Sequence, residues 1–108
     1  MTRRGVAVLG STGSIGTTAL RVLGRHADAF YVAALTAHSN AALLQEQVRE
    51  FGPSFVGIVQ NGAEDHGEWR HGPSCLVEAA THEDASIVLN AVVGAAGLDA
   101  TLAALSAG

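Results

Sequence analysis

Three glycines in the order Gly10-Ser11-Thr12-Gly13-Ser14-Ile15-Gly16 follow an apolar run, Val6-Ala7-Val8-Leu9, and open onto residues with helical spacing. No other feature constrains the fold as much, because each glycine permits something a side chain would prevent. Gly10 can take the dihedrals of a tight turn, Gly13 leaves the backbone bare to an approaching group, and Gly16 lets a helix pack closely on the strand before it. Beyond the turn, Ile15, Ala19, Leu20, Val22 and Leu23 form a stripe that predicts a helix from about Ser14 to Arg25, lying on a sheet. Strand, bare turn and helix in that order are a βα unit.

The rest of the chain repeats the alternation. Tyr31 to Leu35 is apolar on both faces, as a strand covered from both sides must be. Asn40 can then cap a helix carrying Leu43, Leu44, Gln47, Val48 and Phe51, which Gly52-Pro53 terminates. Phe55 to Val59 is expected as a third strand. Gln60 to Pro73 turns polar, a loop or short helix with weak helical pattern around Ala63 to Trp69. Ser74 to Glu78 is expected as a fourth strand, Thr81 to Asp84 as a helix start or turn, and Ser86 to Val93 as a late strand. A second glycine turn, Gly94-Ala95-Ala96-Gly97, then opens a helix from Leu98 to Ala107 with Leu98, Thr101, Leu102 and Leu105 on one face. These periods predict an α/β, Rossmann-like, doubly wound fold with a mostly parallel sheet. The pattern stops at Gly108, where a further strand is expected, so the sheet is expected to be truncated.

Length allows one hydrophobic core, so residues 1–108 are expected to form a single domain. A composition 48% hydrophobic and 15% charged excludes a disordered chain. No apolar run reaches the roughly 18 to 20 residues of a membrane span, and the first residues lack the apolar core of a secretory leader. A cytoplasmic protein without a membrane partner is therefore expected. The net charge is −4, and the basic residues, Arg3, Arg4, Arg21, Arg25, Arg49 and Arg70, are scattered, which argues against nucleic acid as a partner. Cys75 has no second cysteine to bridge and is expected as a structural thiol in a short buried strand. His26, His38, His66, His71 and His82 show no ligand spacing, so no metal site is expected from this chain alone.

The glycine turn also carries chemistry. Free N–H groups of a helix's first turn, backed by the positive end of its dipole, suit a pyrophosphate, and the hydroxyls of Ser11, Thr12 and Ser14 can add donors. Which dinucleotide binds depends on the end of the second strand, where an NAD site usually offers an acid to the ribose. Here the stretch Leu35-Thr36-Ala37-His38-Ser39-Asn40 has no carboxylate. Hydroxyl, amide and imidazole donors welcome a 2′-phosphate, so the stretch leans to NADP, although a bare helix-cap role for Ser39 or Asn40 fits the residues equally well. The Gly94 to Gly97 turn follows a strand where ligands gather, or is a plain turn before a helix. No acid–base pair or nucleophile stands out, and Glu78, Glu83 and Asp84 are most simply surface residues.

Val8 to Gly16, Ala34 to Asn40 and Asn90 to Leu98 occur in that order and at similar spacing in one family. Over nearly its whole length the chain resembles 1-deoxy-D-xylulose 5-phosphate reductoisomerase. The resemblance implies an NADPH-dependent enzyme of non-mevalonate isoprenoid synthesis that converts 1-deoxy-D-xylulose 5-phosphate to 2-C-methyl-D-erythritol 4-phosphate. It implies a divalent metal, Mg²⁺ or Mn²⁺, a sugar-phosphate substrate and a homodimer. By position, Gly10, Thr12, Gly13, Ser14 and Ile15 would lie at the cofactor phosphates. His38, Ser39 and Asn40 would lie at the adenosine 2′-phosphate, where the family often has glycine in place of His38 and a basic residue in place of Ser39. Metal ligands, substrate site and catalytic residues belong to later segments of the family, so none is assigned here, and the chain alone is expected to be inactive. Alternatives are another NADP-dependent reductase, of the semialdehyde dehydrogenase or dihydrodipicolinate reductase type, and a stand-alone or remnant nucleotide-binding module.

Overall fold

The computed structural model describes residues 3–60 and 68–92. Strand β1, Arg4–Leu9, leads through the glycine turn into helix α1, Ser14–Arg25, and the pattern continues with β2, Phe30–Ala37, and α2, Ala41–Phe51. Then come β3, Phe55–Ile58, β4, Arg70–His71, α3, Cys75–Ala80, and β5, Ile87–Asn90. All the pairings are parallel, in the order β4-β3-β2-β1-β5. The chain thus builds outward from β1 in one direction and returns to its other side with β5, which makes the sheet doubly wound, as expected. The expected Gly94 to Gly97 turn and the Leu98 to Ala107 helix lie outside the described residues, as do the last residue of the expected late strand and most of the pattern around Ala63 to Trp69.

Two apolar layers flank the sheet. Val6, Val8, Val32, Leu35, Ala37 and Ile58 pack with Leu20 of α1 and Leu44 of α2 on one face. Ala7, Leu9 and Ala34 pack with Leu76, Ala79 and Ala80 of α3 on the other. Along β2 the side facing α1 and α2 changes from the even Val32 to the odd Leu35 and Ala37. The register explains the change: Val6 pairs with Val32 but Ala7 with Ala34, leaving Ala33 as one extra residue in β2.

Three expectations need correction. Ser74 to Glu78 is no strand; Cys75–Ala80 is helical, and its buried residues Cys75, Leu76, Ala79 and Ala80 recur at i, i+1, i+4 and i+5. A run as short as Cys75-Leu76-Val77 fits either structure, and the need to cross from β4 to the parallel β5 over the sheet face selects the helix. Next, Ile15 and Val22 do not face the core. They are 69% and 47% exposed, and the narrower stripe of Gly16, Leu20 and Leu23 makes the contact. Finally, the two-residue strand β4 lies within the segment expected as loop or short helix, because two residues carry no readable period. No helix among the described residues is long and apolar enough to cross a membrane.

Cys75 is fully buried on α3, beside Gly57 of β3. Burial, with a smaller push from the Glu78 carboxylate, raises its thiol from 9.0 to about 11. The folded state therefore keeps the thiol protonated where the unfolded chain would ionise. This contribution is intact below pH 9 and is lost as pH rises toward 11, at up to about 1.4 kcal/mol per pH unit. Urea midpoints at pH 8 and pH 10.5 should accordingly fall further for the parent than for Cys75→Ala. Equal falls would assign the loss to other groups.

Candidate functional site

The glycine turn is held by the strand beside it. Gly10 adopts φ +78°, and its N–H donates 3.0 Å to the Thr36 carbonyl. The Ser11 N–H donates to the same carbonyl at 2.8 Å, and Thr36 Oγ1 lies 3.3 Å from the Gly10 nitrogen. The turn then enters α1 at Gly13, whose backbone is extended at φ −78° and ψ 176°. No side chain caps this end, and its first turn contains no acid. The first bond back to Gly13 comes from the Thr17 N–H, at 2.9 Å. The N–H groups of Ser14, Ile15 and Gly16 precede it and have no helical carbonyl to reach, so they are placed to receive an anion.

The Ser11 hydroxyl is not available as the phosphate donor that its place in the turn suggests. It is wholly buried and donates 2.7 Å to Gln47 Oε1, so it does not face the open side of the turn.

Opposite the turn, β2 ends at Ala37 and His38, Ser39 and Asn40 emerge exposed. Asn40 Oδ1 accepts the Leu43 N–H at 3.2 Å, so the expected cap of α2 is formed, and its NH₂ group remains a donor. The His38 carbonyl is fixed by the Gln60 N–H at 2.7 Å. Between the walls lies a cleft of about 560 Å³. Gly10, Thr12 and Gly13 line one side and His38, Ser39 and Asn40 the other, over apolar residues that include Val59, Leu76 and Val92. Ser14 and Ile15 do not line it; both are exposed on the first turn of α1. None of the described lining residues is acidic, and His38 is the ionisable one.

This cleft sits where the strand order reverses, since Gly10 follows β1 and Ala91 and Val92 follow β5, its neighbour across the reversal. Open parallel sheets bind ligands at such switch points. Two residues that hold the site, Thr36 and Gln47, were not expected to take part. Gln47 could be seen as a polar residue on an apolar helix face, but nothing local pointed to its partner. Of the acids expected at the surface, Glu78 pairs with Arg70 at 3.2 Å, and Asp84 lies 4.0 Å from His82. Among the described residues no three His, Cys, Asp or Glu side chains gather as a metal site would require.

The family model described as 1-deoxy-D-xylulose 5-phosphate reductoisomerase matches residues 6–108. A protein of that name from Thermomicrobium roseum is 50% identical over 109 residues, covering 98% of this chain and 28% of the relative. One from Geobacter metallireducens is 43% identical, with 95% and 29% covered. Among solved structures, the reductoisomerase from Zymomonas mobilis in complex with NADPH superposes with a TM-score of 0.87 at 35% identity, covering 99% of this chain and 30% of that one. A DOX-P reductoisomerase in complex with magnesium gives a TM-score of 0.89 at 33% identity, covering 99% and 29%. The chain thus spans less than a third of the length of these relatives. On that match, together with the glycine turn and the switch-point cleft, the chain belongs to the 1-deoxy-D-xylulose 5-phosphate reductoisomerase family.

Proposed function

We propose that residues 1–108 form the NADPH-binding domain of an enzyme that converts 1-deoxy-D-xylulose 5-phosphate to 2-C-methyl-D-erythritol 4-phosphate. The observation that carries this reading is the cleft itself: an uncapped helix start and a bare Gly13 on one wall, and a wall without carboxylates facing it. The residues fit the cofactor. A Cβ on Gly13 would meet only the Gly10 carbonyl oxygen, 3.7 Å away, so the space above the turn is open to a pyrophosphate. Thr12 and the N–H groups of Ser14 and Ile15 bind its oxygens, while His38, Ser39 and the Asn40 amide donate to the 2′-phosphate. When bound, NADPH supplies the hydride for carbonyl reduction. This chain's residues hold and orient it, and none is assigned a catalytic role.

Magnesium, bound by a related structure, finds no ligand set among the described residues, and no step is derived through it. The reading carries with it a sugar-phosphate substrate, a homodimer and a cytoplasmic location. The family match weighs against the other reductase types. A stand-alone nucleotide module remains the second reading, distinguished by turnover rather than by binding.

Calorimetric titration with NADPH and NADH tests the proposal. NADPH should bind about tenfold more tightly, the worth of one or two hydrogen bonds to a charged group, and His38→Ala should narrow the ratio. Equal affinities, or binding of neither by the folded chain, would count against it.

A further inference from the structure

Gln47 is only 6% exposed, on α2, and with Ser11 and Thr36 it is one of three buried polar side chains among the described residues. An amide placed there without partners would be costly. Both of its ends are satisfied by one residue: Oε1 accepts the Ser11 hydroxyl at 2.7 Å, and Nε2 donates to the Ser11 carbonyl at 2.9 Å. Ser11 is itself wholly buried. A reciprocal pair across 36 residues ties the middle of the glycine turn to α2. Two helical turns before Gln47, the same helix begins at Asn40, on the opposite wall of the cleft.

We propose that Gln47 is a positioning residue for the nucleotide, a latch that sets the spacing between the Gly10–Gly13 wall and the His38–Asn40 wall before any ligand arrives. The inference rests on the nucleotide reading above and deepens it. Thr36 fixes the start of the turn from β2 through the Gly10 and Ser11 N–H groups. Gln47 fixes it from α2 through the Ser11 side chain and carbonyl. Held from both sides, the turn presents the α1 N–H groups without having to be ordered by the ligand, and an ordering cost avoided is affinity gained. The latch acts on the shared pyrophosphate turn, so it supports NADPH and NADH alike, whereas the 2′-phosphate wall separates the two.

The test is Gln47→Met, which keeps the length and apolar volume and removes both bonds, with Ser11→Ala and the double variant beside it. Affinities are measured well below each variant's melting temperature, so that only folded protein is read. Gln47→Met should bind NADPH and NADH about tenfold more weakly, by the same factor. Ser11→Ala keeps the bond from Nε2 and should lose less. The double variant should be no worse than Gln47→Met, since Ser11→Ala removes only a bond that Gln47→Met has already removed. Parent-like affinity in folded Gln47→Met, or independent losses that multiply in the double variant, would overturn the latch. Should Gln47→Met fail to fold, Ser11→Ala decides by the same criterion. Amide exchange at Gly10 to Gly13 separates this inference from the reading beneath it. If the parent binds neither nucleotide, the NADPH reading fails, yet faster exchange in the ligand-free variant would still reveal the latch, and unchanged exchange would sink it.

Discussion

Gly16→Ala is expected to destabilise the protein by about 3 kcal/mol and to lower its melting temperature by about 10 to 20 °C. A Cβ at this position would fall inside contact distance of the Gly10 carbonyl oxygen and only 2.7 Å from Ser11 Cα. Both are backbone atoms of the turn just before, so no side chain can swing aside to make room. Gly10 is held by Thr36, and Ser11 by Thr36 and Gln47, so moving the turn would break buried hydrogen bonds as well. The alternative, lifting α1 off the sheet, would uncover Leu20, which is 3% exposed. Thermal and urea denaturation check the effect. A variant within about 0.5 kcal/mol of the parent would show that the turn yields more easily than this packing allows.

Gly13→Asp should have the opposite profile, with the fold intact and nucleotide binding reduced about a hundredfold or more. Gly13 is exposed, has ordinary extended dihedrals and lies open on the cleft side. It is also the N-cap of α1, where aspartate is among the preferred residues, so the helix should gain a few tenths of a kcal/mol. The added carboxylate would accept the N–H groups meant for phosphate oxygens and would repel the pyrophosphate. The measurement is paired: melting temperature equal to or slightly above the parent, with no saturable NADPH heat in calorimetry. Retained affinity would remove the Gly10–Gly16 turn from the site. Against Gly16→Ala the pair separates two glycines three residues apart, one required by packing and the other by the ligand.

How much could be read in advance varied with the range of the forces involved. Helix α1 runs from Ser14 to Arg25 as its spacing predicts, and α2 starts after the expected Asn40 cap and stops at Gly52, which adopts φ +59°. These ends depend on hydrogen bonds spanning three or four residues, and the residue types that make them are visible in the chain. The exposed loop His38 to Asn40 and the bare Gly13 were likewise identified and do face one cleft. In contrast, the apolar spacing puts Ile15 on the core face and yet it is exposed, because its direction depends on where the sheet lies relative to a helix only three turns long. Ser11, whose hydroxyl could add a donor for the ligand, instead turns inward, because its partner stands 36 residues away.

The glycine turn, the alternation of apolar strands with capped helices, and the lack of an acid after β2 follow from neighbours along the chain, and these alone implied a parallel α/β sheet and a dinucleotide. Contacts between segments decided the rest. The segment Cys75–Ala80 became a helix because a parallel crossover had to cover the face left by Ala7, Leu9 and Ala34. Arg70–His71 became a strand only because Gly57 and Ile58 lay beside it. The extra Ala33 and the Ser11–Gln47 pair likewise exist only once β1, β2 and α2 are packed together. Caps and turns are recorded in the residues that make them, whereas burial and long-range hydrogen bonds belong to pairs that meet only after the chain has folded.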